Sequence, residues 1–263
     1  MAAETWVIPE VFTAAPGTFV PINSMVIAGA EPVIVDTGTA LNRQRWMDAV
    51  FSIVEPVDVR WVFLSHDDHD HVRNLVPVLE LCPHATLVTT WFMVERLRGD
   101  HDLPLERMRW VNDGESFDAG DRTLVALTPP VFDSPTTRGL FDATSGVYWA
   151  ADTFASLIPD WRLRDVGEMD HAFWHETMLA NNRMISPWHG LTDEVRFNRH
   201  VDRVATLPVT TITSAHSGTI TGPAVAEAFS LIRQLPRLEQ APLPTQSDLD
   251  AIVAQLAVAA TAS

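Results

Sequence analysis

Trp61-Val62-Phe63-Leu64-Ser65-His66-Asp67-Asp68-His69-Asp70-His71 carries an apolar strand straight into six consecutive side chains able to bind a metal. The first four residues are the short aromatic and β-branched run of a buried strand. The six polar residues are costly to gather without a cation. Two ionised carboxylates about 5 Å apart repel by roughly 3 kcal/mol at an effective dielectric near 20. Several such pairs would rival the stability of a whole domain. Three histidines interleaved with three aspartates at the end of a strand therefore point to a bound metal rather than to a solvated acidic loop.

The rest of the composition narrows what that metal site can be. The chain has 263 residues, 46% hydrophobic and 20% charged, the balance of an ordinary globular protein. Disordered, collagen-like and disulfide-stapled classes are excluded. Its single cysteine, Cys82, rules out a multi-thiolate cluster, so nitrogen and oxygen must hold any metal. All eighteen basic residues are arginine, which excludes a Schiff-base lysine and a phosphate-loop lysine. A formal net charge of -16 argues against nucleic acid and against an anionic membrane face as partners. The apolar runs are far shorter than the roughly 20 residues of a membrane-spanning helix. Met1 to Thr5 carries Glu4 where a signal peptide has basic residues, so a cytoplasmic location is expected.

Strand patterns alternate with helical ones, without any internal repeat, which predicts a mixed α/β architecture. Strands are expected at 19–28, 32–36, 59–64, 85–90, 108–111, 123–128, 146–150 and 209–214. Helices are expected at 42–54, 77–81, 91–97, 171–181, 193–207 and 223–234. The Asp113-Gly114 and Ala119-Gly120 turns mark an antiparallel hairpin, so the sheets should be mixed rather than purely parallel. A proline-containing linker, 238–246, separates residues 1–237 from a last helix starting near Ser247. That helix carries Ile252, Val253, Leu256 and Val258, expected to pack on the domain or to form a homodimer contact. The nine tryptophans are expected to fill the core and wall the pocket.

The chain resembles the metallo-β-lactamase superfamily at four motifs in order. His66-x-Asp68-x-Asp70-His71 resembles the signature histidine-x-(histidine or acid)-x-aspartate-histidine, with His69 in a variable position. Val33 to Gly38 is similar to the strand-Asp-Thr-Gly turn, Tyr148 to Phe154 to the strand bearing a bridging aspartate, and Ser214 to Gly218 to the final histidine loop. Together they cover roughly residues 18–235. The implied fold is an αββα sandwich, two mixed β-sheets flanked by helices. Within the superfamily the chain most resembles the diiron domain of flavodiiron proteins and their single-domain, oxygen-binding relatives. Asp68 supplies that group's acidic second ligand. Pro130 to Pro135 is similar to its proline-x-x-histidine-x-proline loop, with Asp133 at the histidine position, and Ala180-Asn181 to an Ala-Asn pair beside the site.

The resemblance implies one metal held by His66, Asp68, Asp133 and a bridging Asp152, and a second held by Asp70, His71, Asp152 and His216. Asp133 can ligate directly, accept a hydrogen bond behind a ligand, or mark a lost ligand. With oxygen donors outnumbering imidazoles, iron is favoured, and zinc and manganese are the alternatives. Two divalent ions would roughly neutralise the four aspartates. Asp36 is expected to orient a ligand histidine, and Asn181 to sit beside the site. His171 and His175, four apart, share a helix face and could supply protons in place of the family's tyrosines, since the only tyrosine, Tyr148, lies in a strand.

About 28 residues follow Leu235, too few for a flavin domain, so no flavin is expected in this chain and electrons for a reductase would come from a separate donor protein. The reading favoured is a diiron protein that binds or reduces dioxygen or a related small-molecule oxidant. The alternative is a dinuclear hydrolase of a small ester, thioester or lactone, in which Asp70 is the catalytic residue that orients a bridging hydroxide. A third is a binding module whose site is purely structural.

Overall fold

The structure is a computed structural model that describes the backbone of residues 2–261 and the side chains of residues 2–256. Val258 of the last helix lies outside the described side chains, and residues 262 and 263 outside the description. Two six-stranded sheets face one another. The first contains β1 (Thr5–Ala15), β2 (Thr18–Ile27), β3 (Val33–Val35), β4 (Trp61–Phe63), β5 (Thr86–Thr89) and β6 (Met108–Trp110), side by side in chain order. From β3 to β6 every pairing is parallel, with Val33, Ile34 and Val35 opposite Trp61, Val62 and Phe63. The second sheet runs in reverse order through β12 (Ile220–Thr221), β11 (Thr211–Thr213), β10 (Val147–Trp149), β9 (Gly139–Asp142), β8 (Thr123–Leu127) and β7 (Ser116–Asp118). Only the β10–β11 pair is parallel there, so both sheets are mixed as expected.

The period-2 geometry of strands explains the four layers. Val33, Val35 and Phe63 point between the sheets, where they meet Phe117, Leu124, Leu140 and Trp149. Ile34, Val62 and Leu64 point the other way, under α1 (Arg43–Phe51), α3 (Leu75–Leu81) and α4 (Trp91–Leu97). On the far side, Tyr148 and Ile212 face α5 (His171–Ile185), α6 (Glu194–Ala205) and α7 (Pro223–Ile232). The central strands are buried on both faces, which is why β3 and β4 read as unbroken apolar runs.

Several elements depart from the sequence expectation. β1 has no counterpart in the predicted strands: it is the edge strand of its sheet, paired only with β2, and so accommodates Pro9 and polar residues that obscure its pattern. β9 is short and begins at Gly139, where a Cβ would come within 2.7 Å of the Tyr148 hydroxyl and the Trp149 carbonyl. Trp46, Trp149 and Trp174 are buried, but Trp6, Trp91, Trp110 and Trp161 are exposed, so the tryptophans do not serve the core as a class. The last helix, α8 (Gln246–Thr261), leaves Leu249, Ile252, Val253 and Leu256 exposed.

Candidate metal centre

Loops leaving the carboxyl ends of the parallel strands converge on one edge of the sandwich, the place where open α/β sheets build their sites. After β3 comes the turn Asp36-Thr37-Gly38. After β4 comes Ser65 to Asp68, which enters α2 (His69–Val72), and after β10 and β11 come Ala150 to Phe154 and Ser214 to Gly218. The first turn is a platform for α2. Thr37 donates to the His71 carbonyl from both its amide (2.6 Å) and its hydroxyl (2.9 Å), and Asn74 Nδ2 donates back to Thr37 O (2.7 Å) and Thr39 O (2.9 Å). Gly38 has φ +63°, and a Cβ on it would press on Trp46 and Glu10 at 3.0 Å, so this turn requires glycine.

The platform brings three imidazoles and four carboxylates together. Ligand-capable atoms of His66, Asp68 and Asp133 lie within 4.8 Å of one another, as do those of Asp70, His71 and His216, and those of His66, His71 and Asp152. Asp152 divides its two oxygens between the sets. Oδ2 is 3.3 Å from His66 Nε2, while Oδ1 is 3.3 Å from His71 Nε2 and 3.4 Å from His216 Nε2. Asp70 Oδ2 stands 3.3 Å from His216 Nε2 and 3.7 Å from His71 Nε2, and Asp68 Oδ2 is 3.9 Å from His66 Nε2. With metal–ligand bonds of about 2.1 Å, neighbouring donors on one ion are separated by roughly 3.0 Å (octahedral) to 3.4 Å (tetrahedral). Most of these separations match that range, and Asp68 and Asp70 need only a small movement to join it.

The hydrogen bonds behind the cluster fix which nitrogen of each imidazole faces inward. Asp36 accepts from the Ser65 amide (2.7 Å), the Ser65 hydroxyl (2.6 Å) and His71 Nδ1 (2.9 Å). Having given its only proton to Asp36, the Ser65 hydroxyl must accept from His66 Nδ1, 2.9 Å away. His216 Nδ1 donates to the Pro21 carbonyl at 2.9 Å. All three rings thus carry their proton on Nδ1 and aim the Nε2 lone pair into the cluster. His66 Nε2, His71 Nε2 and Asp152 Oδ1 are buried without any hydrogen-bond partner. Three buried polar atoms with nothing to bond but one another's common space are what a pair of cations would satisfy.

Electrostatics agree with the geometry. Burial alone pulls the His71 imidazole down, but the Asp152 and Asp36 carboxylates outweigh it and hold His71 well above its ordinary value. His66, pulled down by burial and by His71, is also raised, through Asp152. Burial pushes the Asp152 carboxyl up, yet His66, His216 and His71 hold it well below the usual range. Asp133 is raised by burial, and the charges of Asp152 and Asp68 overcome the opposing effect of His66. The pocket attracts positive charge, whether protons or metal.

Other expected site residues fall elsewhere. His171 and His175 point to Glu227 of α7 rather than to the cluster, with Nε2–Oε distances of 3.3 and 2.9 Å. Helical spacing placed them on one face without saying which neighbour that face meets. Asn181 Nδ2 donates within its own helix, to Thr177 O at 2.7 Å. Its neighbour Asn182 is the one that supports the site. Fully buried, it accepts from the Phe154 amide (2.9 Å) and donates to Ala155 O (3.1 Å), just after Asp152. Sequence reasoning also missed Ser65, Thr153 and Asn23. Thr153 ties the Asp152 loop to Val131 O at 2.7 Å, and Asn23 Nδ2 grips Ser214 O and Ser217 O, both at 2.8 Å, on either side of His216. Ser65 could have been found from its position between the strand and His66. Asp67 turns out of the cluster to Arg96 (2.5 Å) and Thr136 (2.8 Å). Asp68, His69 and Asp70 border an open cleft of about 950 Å³, lined also by Arg73, Arg96 and His101.

The profile described as ODP family beta lactamase matches residues 20–216. This chain belongs to that family. Its homologues are flavodiiron proteins. The anaerobic nitric oxide reductase flavorubredoxin of Salmonella arizonae is 21% identical over 192 residues, 70% of this chain and 40% of that protein. A diflavin flavoprotein of Nostoc sp. is 26% identical over 165 residues, 61% of this chain and 28% of that protein. The ODP chain thus spans less than half the length of these relatives. In fold it matches the flavodiiron protein of Giardia intestinalis, with a TM-score of 0.73 at 17% identity, covering 87% of this chain and 59% of that one. A metal-soaked flavodiiron core from Synechocystis sp. gives 0.74 at 14% identity, covering 92% and 60%. The αββα sandwich of the ODP chain is therefore the metallo-β-lactamase fold of flavodiiron cores.

Proposed function

We propose that this chain holds two metal ions, iron by preference, and that the pair binds or reduces dioxygen or a related small oxidant with electrons from a separate donor. The observation that carries the reading is Asp152, which offers one oxygen to the His66 side and the other to the His71 and His216 side. His66, Asp68, Asp133 and Asp152 would hold one ion; Asp70, His71, Asp152 and His216 the other. A diiron pair supplies reversible one-electron chemistry toward a small oxidant. The chain's own residues do the rest. Asp36 and Ser65 keep the ring protons of His71 and His66 on Nδ1, and Asp68 and Asp70, which border the open cleft, mark the side from which a small molecule would approach. Oxygen-rich donor sets favour iron or manganese over the histidine-rich sets that suit zinc.

The test is anaerobic reduction of iron-loaded protein and then an air pulse, watched optically. A spectral change that reverses on reduction is expected; no response ends the oxidant reading. Zinc as the resident ion, with turnover of a small ester, would put the hydrolase in its place. Among the described residues no helix is long and apolar enough to cross a membrane. The exposed Leu249, Ile252, Val253 and Leu256 of α8 support a contact with a second copy of the chain.

A further inference from the structure

A second cluster of metal-capable groups lies on the outer helical layer, apart from the centre described above. Asp170 caps α5, accepting from the Phe173 amide at 2.9 Å, so the helix begins at His171 and His175 stands one turn on, over the same face. The two imidazoles are 4.8 Å apart between ring centroids. Glu227, from the middle of α7, reaches across to both: Oε2 lies 3.3 Å from His171 Nε2 and Oε1 lies 2.9 Å from His175 Nε2. One ligand atom from each of the three residues falls within 4.8 Å of the others.

Two features separate this arrangement from an ordinary ion pair. First, His175 Nε2 is buried yet makes no hydrogen bond, although Glu227 Oε1 is only 2.9 Å away. At that distance the failure is one of direction: the nitrogen and oxygen do not point at each other, as donors converging on a third point would not. Their separations, 2.9 and 3.3 Å, are those of neighbouring ligands on one ion with bonds of about 2.1 Å. Secondly, the histidine rings are held from behind. Trp174, itself buried, packs against both, with centroid distances of 5.7 Å to His171 and 5.1 Å to His175.

We infer that His171, His175 and Glu227 form a mononuclear site for a divalent transition-metal ion of the zinc class, bridging α5 and α7. Two imidazoles and one carboxylate suit zinc, nickel, cobalt or copper. His171 is 66% exposed at its side chain, so the remaining coordination positions open to solvent. The ion fastens α5 to α7, and α5 is the helix whose Asn182 grips the backbone after Asp152.

The experiment uses the full chain with its dinuclear centre already loaded. Zinc is titrated by equilibrium dialysis, with metal content measured on wild type, on His171→Ala/His175→Ala and on Glu227→Gln. Wild type is expected to take up one equivalent more than the double variant. Glu227→Gln should weaken that uptake by at least about tenfold, and Glu227→Asp should recover part of it. The zinc-dependent rise in melting temperature should disappear in the double variant while its zinc-free melting stays close to wild type. No additional equivalent in wild type, or one that survives in the double variant, overturns the assignment. Because the readout is a difference between wild type and variant, the assignment stands or falls whatever the dinuclear centre holds.

Discussion

Asp36→Asn is the sharpest probe of the proposed metal centre, because it keeps the size of a side chain that is not itself a proposed ligand and changes only what it can accept. In the wild type, Asp36 Oδ1 takes the Ser65 amide, and Oδ2 takes both the Ser65 hydroxyl and His71 Nδ1. With Asn, Oδ1 keeps the amide and an NH2 group then faces two donors. His71 can relieve that clash only by moving its proton from Nδ1 to Nε2, the atom aimed at Asp152 Oδ1 3.3 Å away. Ligation must then either expel that proton or leave the NH2 group opposed to a donor. The bond at stake is charge-assisted, worth about 1.5–3 kcal/mol, which is roughly 10- to 100-fold in metal affinity, the range lost when partners behind ligand histidines are removed. The loss should be uneven. His71 touches Asp36 directly, whereas His66 reaches it only through Ser65, so the ion shared by Asp70, His71 and His216 should leave first. Competition against a chromophoric chelator resolves the two steps. Affinities within about threefold of wild type in both steps, or equal losses in both, would refute the reasoning.

Replacing the proposed bridging carboxylate, Asp152→Ala, should abolish binding of both ions, while Asp133→Ala should lower metal content by one, as measured by elemental analysis; two full equivalents in the Asp152 variant would remove the bridge. The metal-free chain should be most stable between about pH 4 and 6.5. His71 and His66, raised in the fold, contribute stability that is complete below their unfolded value and lost as pH rises through the folded one; Asp152, depressed, contributes stability that is lost as pH falls through its folded value. Asp133, raised, acts in the same sense as the histidines. Melting of chelator-treated protein should therefore fall from pH 6 to pH 9, and an unchanged or rising value would contradict the assignment. Arg122→Ala should cost about 3–5 kcal/mol in denaturant unfolding, because it strips buried Asp142 of its guanidinium, 3.2 Å away, and frees Asp121 and Glu4; a loss below 1 kcal/mol would show the network to be dispensable.

The cluster was legible in sequence because its chemistry is concentrated. One strand and the next eight residues carry His66, Asp68, Asp70 and His71, and strand ends of unmistakable apolar character deliver Asp36, Asp152 and His216. Hidden from the sequence was information that only packing creates. Asn181 and Asn182 are indistinguishable in a string, and the helix rotation of about 100° between them decides that Asn182 faces the Phe154 amide. The pair His171 and His175 was correctly placed on one face, but the residue opposite it, Glu227, comes from a helix fifty residues further on. The edge strand β1 hid because only one of its sides is paired, leaving polar residues and Pro9 free to interrupt the apolar pattern.

The backbone around the cluster shows why its side chains stay converged without help from an ion. Asp36, Ala151 and Phe154 all have positive φ, at 57°, 50° and 67°, and each sits at or within two residues of a proposed ligand or its support. Such conformations cost about 1–3 kcal/mol apiece for residues other than glycine. They persist because hydrogen bonds overdetermine them: Ser65 to Asp36, Ala215 and Ser214 to the Ala151 carbonyl, and Phe154 to Asn182. A cation cannot relieve that strain, since it touches none of these atoms; it relieves only the mutual repulsion of the four aspartates. The fold therefore carries the cost of shaping the pocket, and the repulsion left over becomes the affinity for metal. On this division, variants of the supporting hydrogen bonds change which ion geometry is accepted, whereas variants of the aspartates change how much positive charge is held.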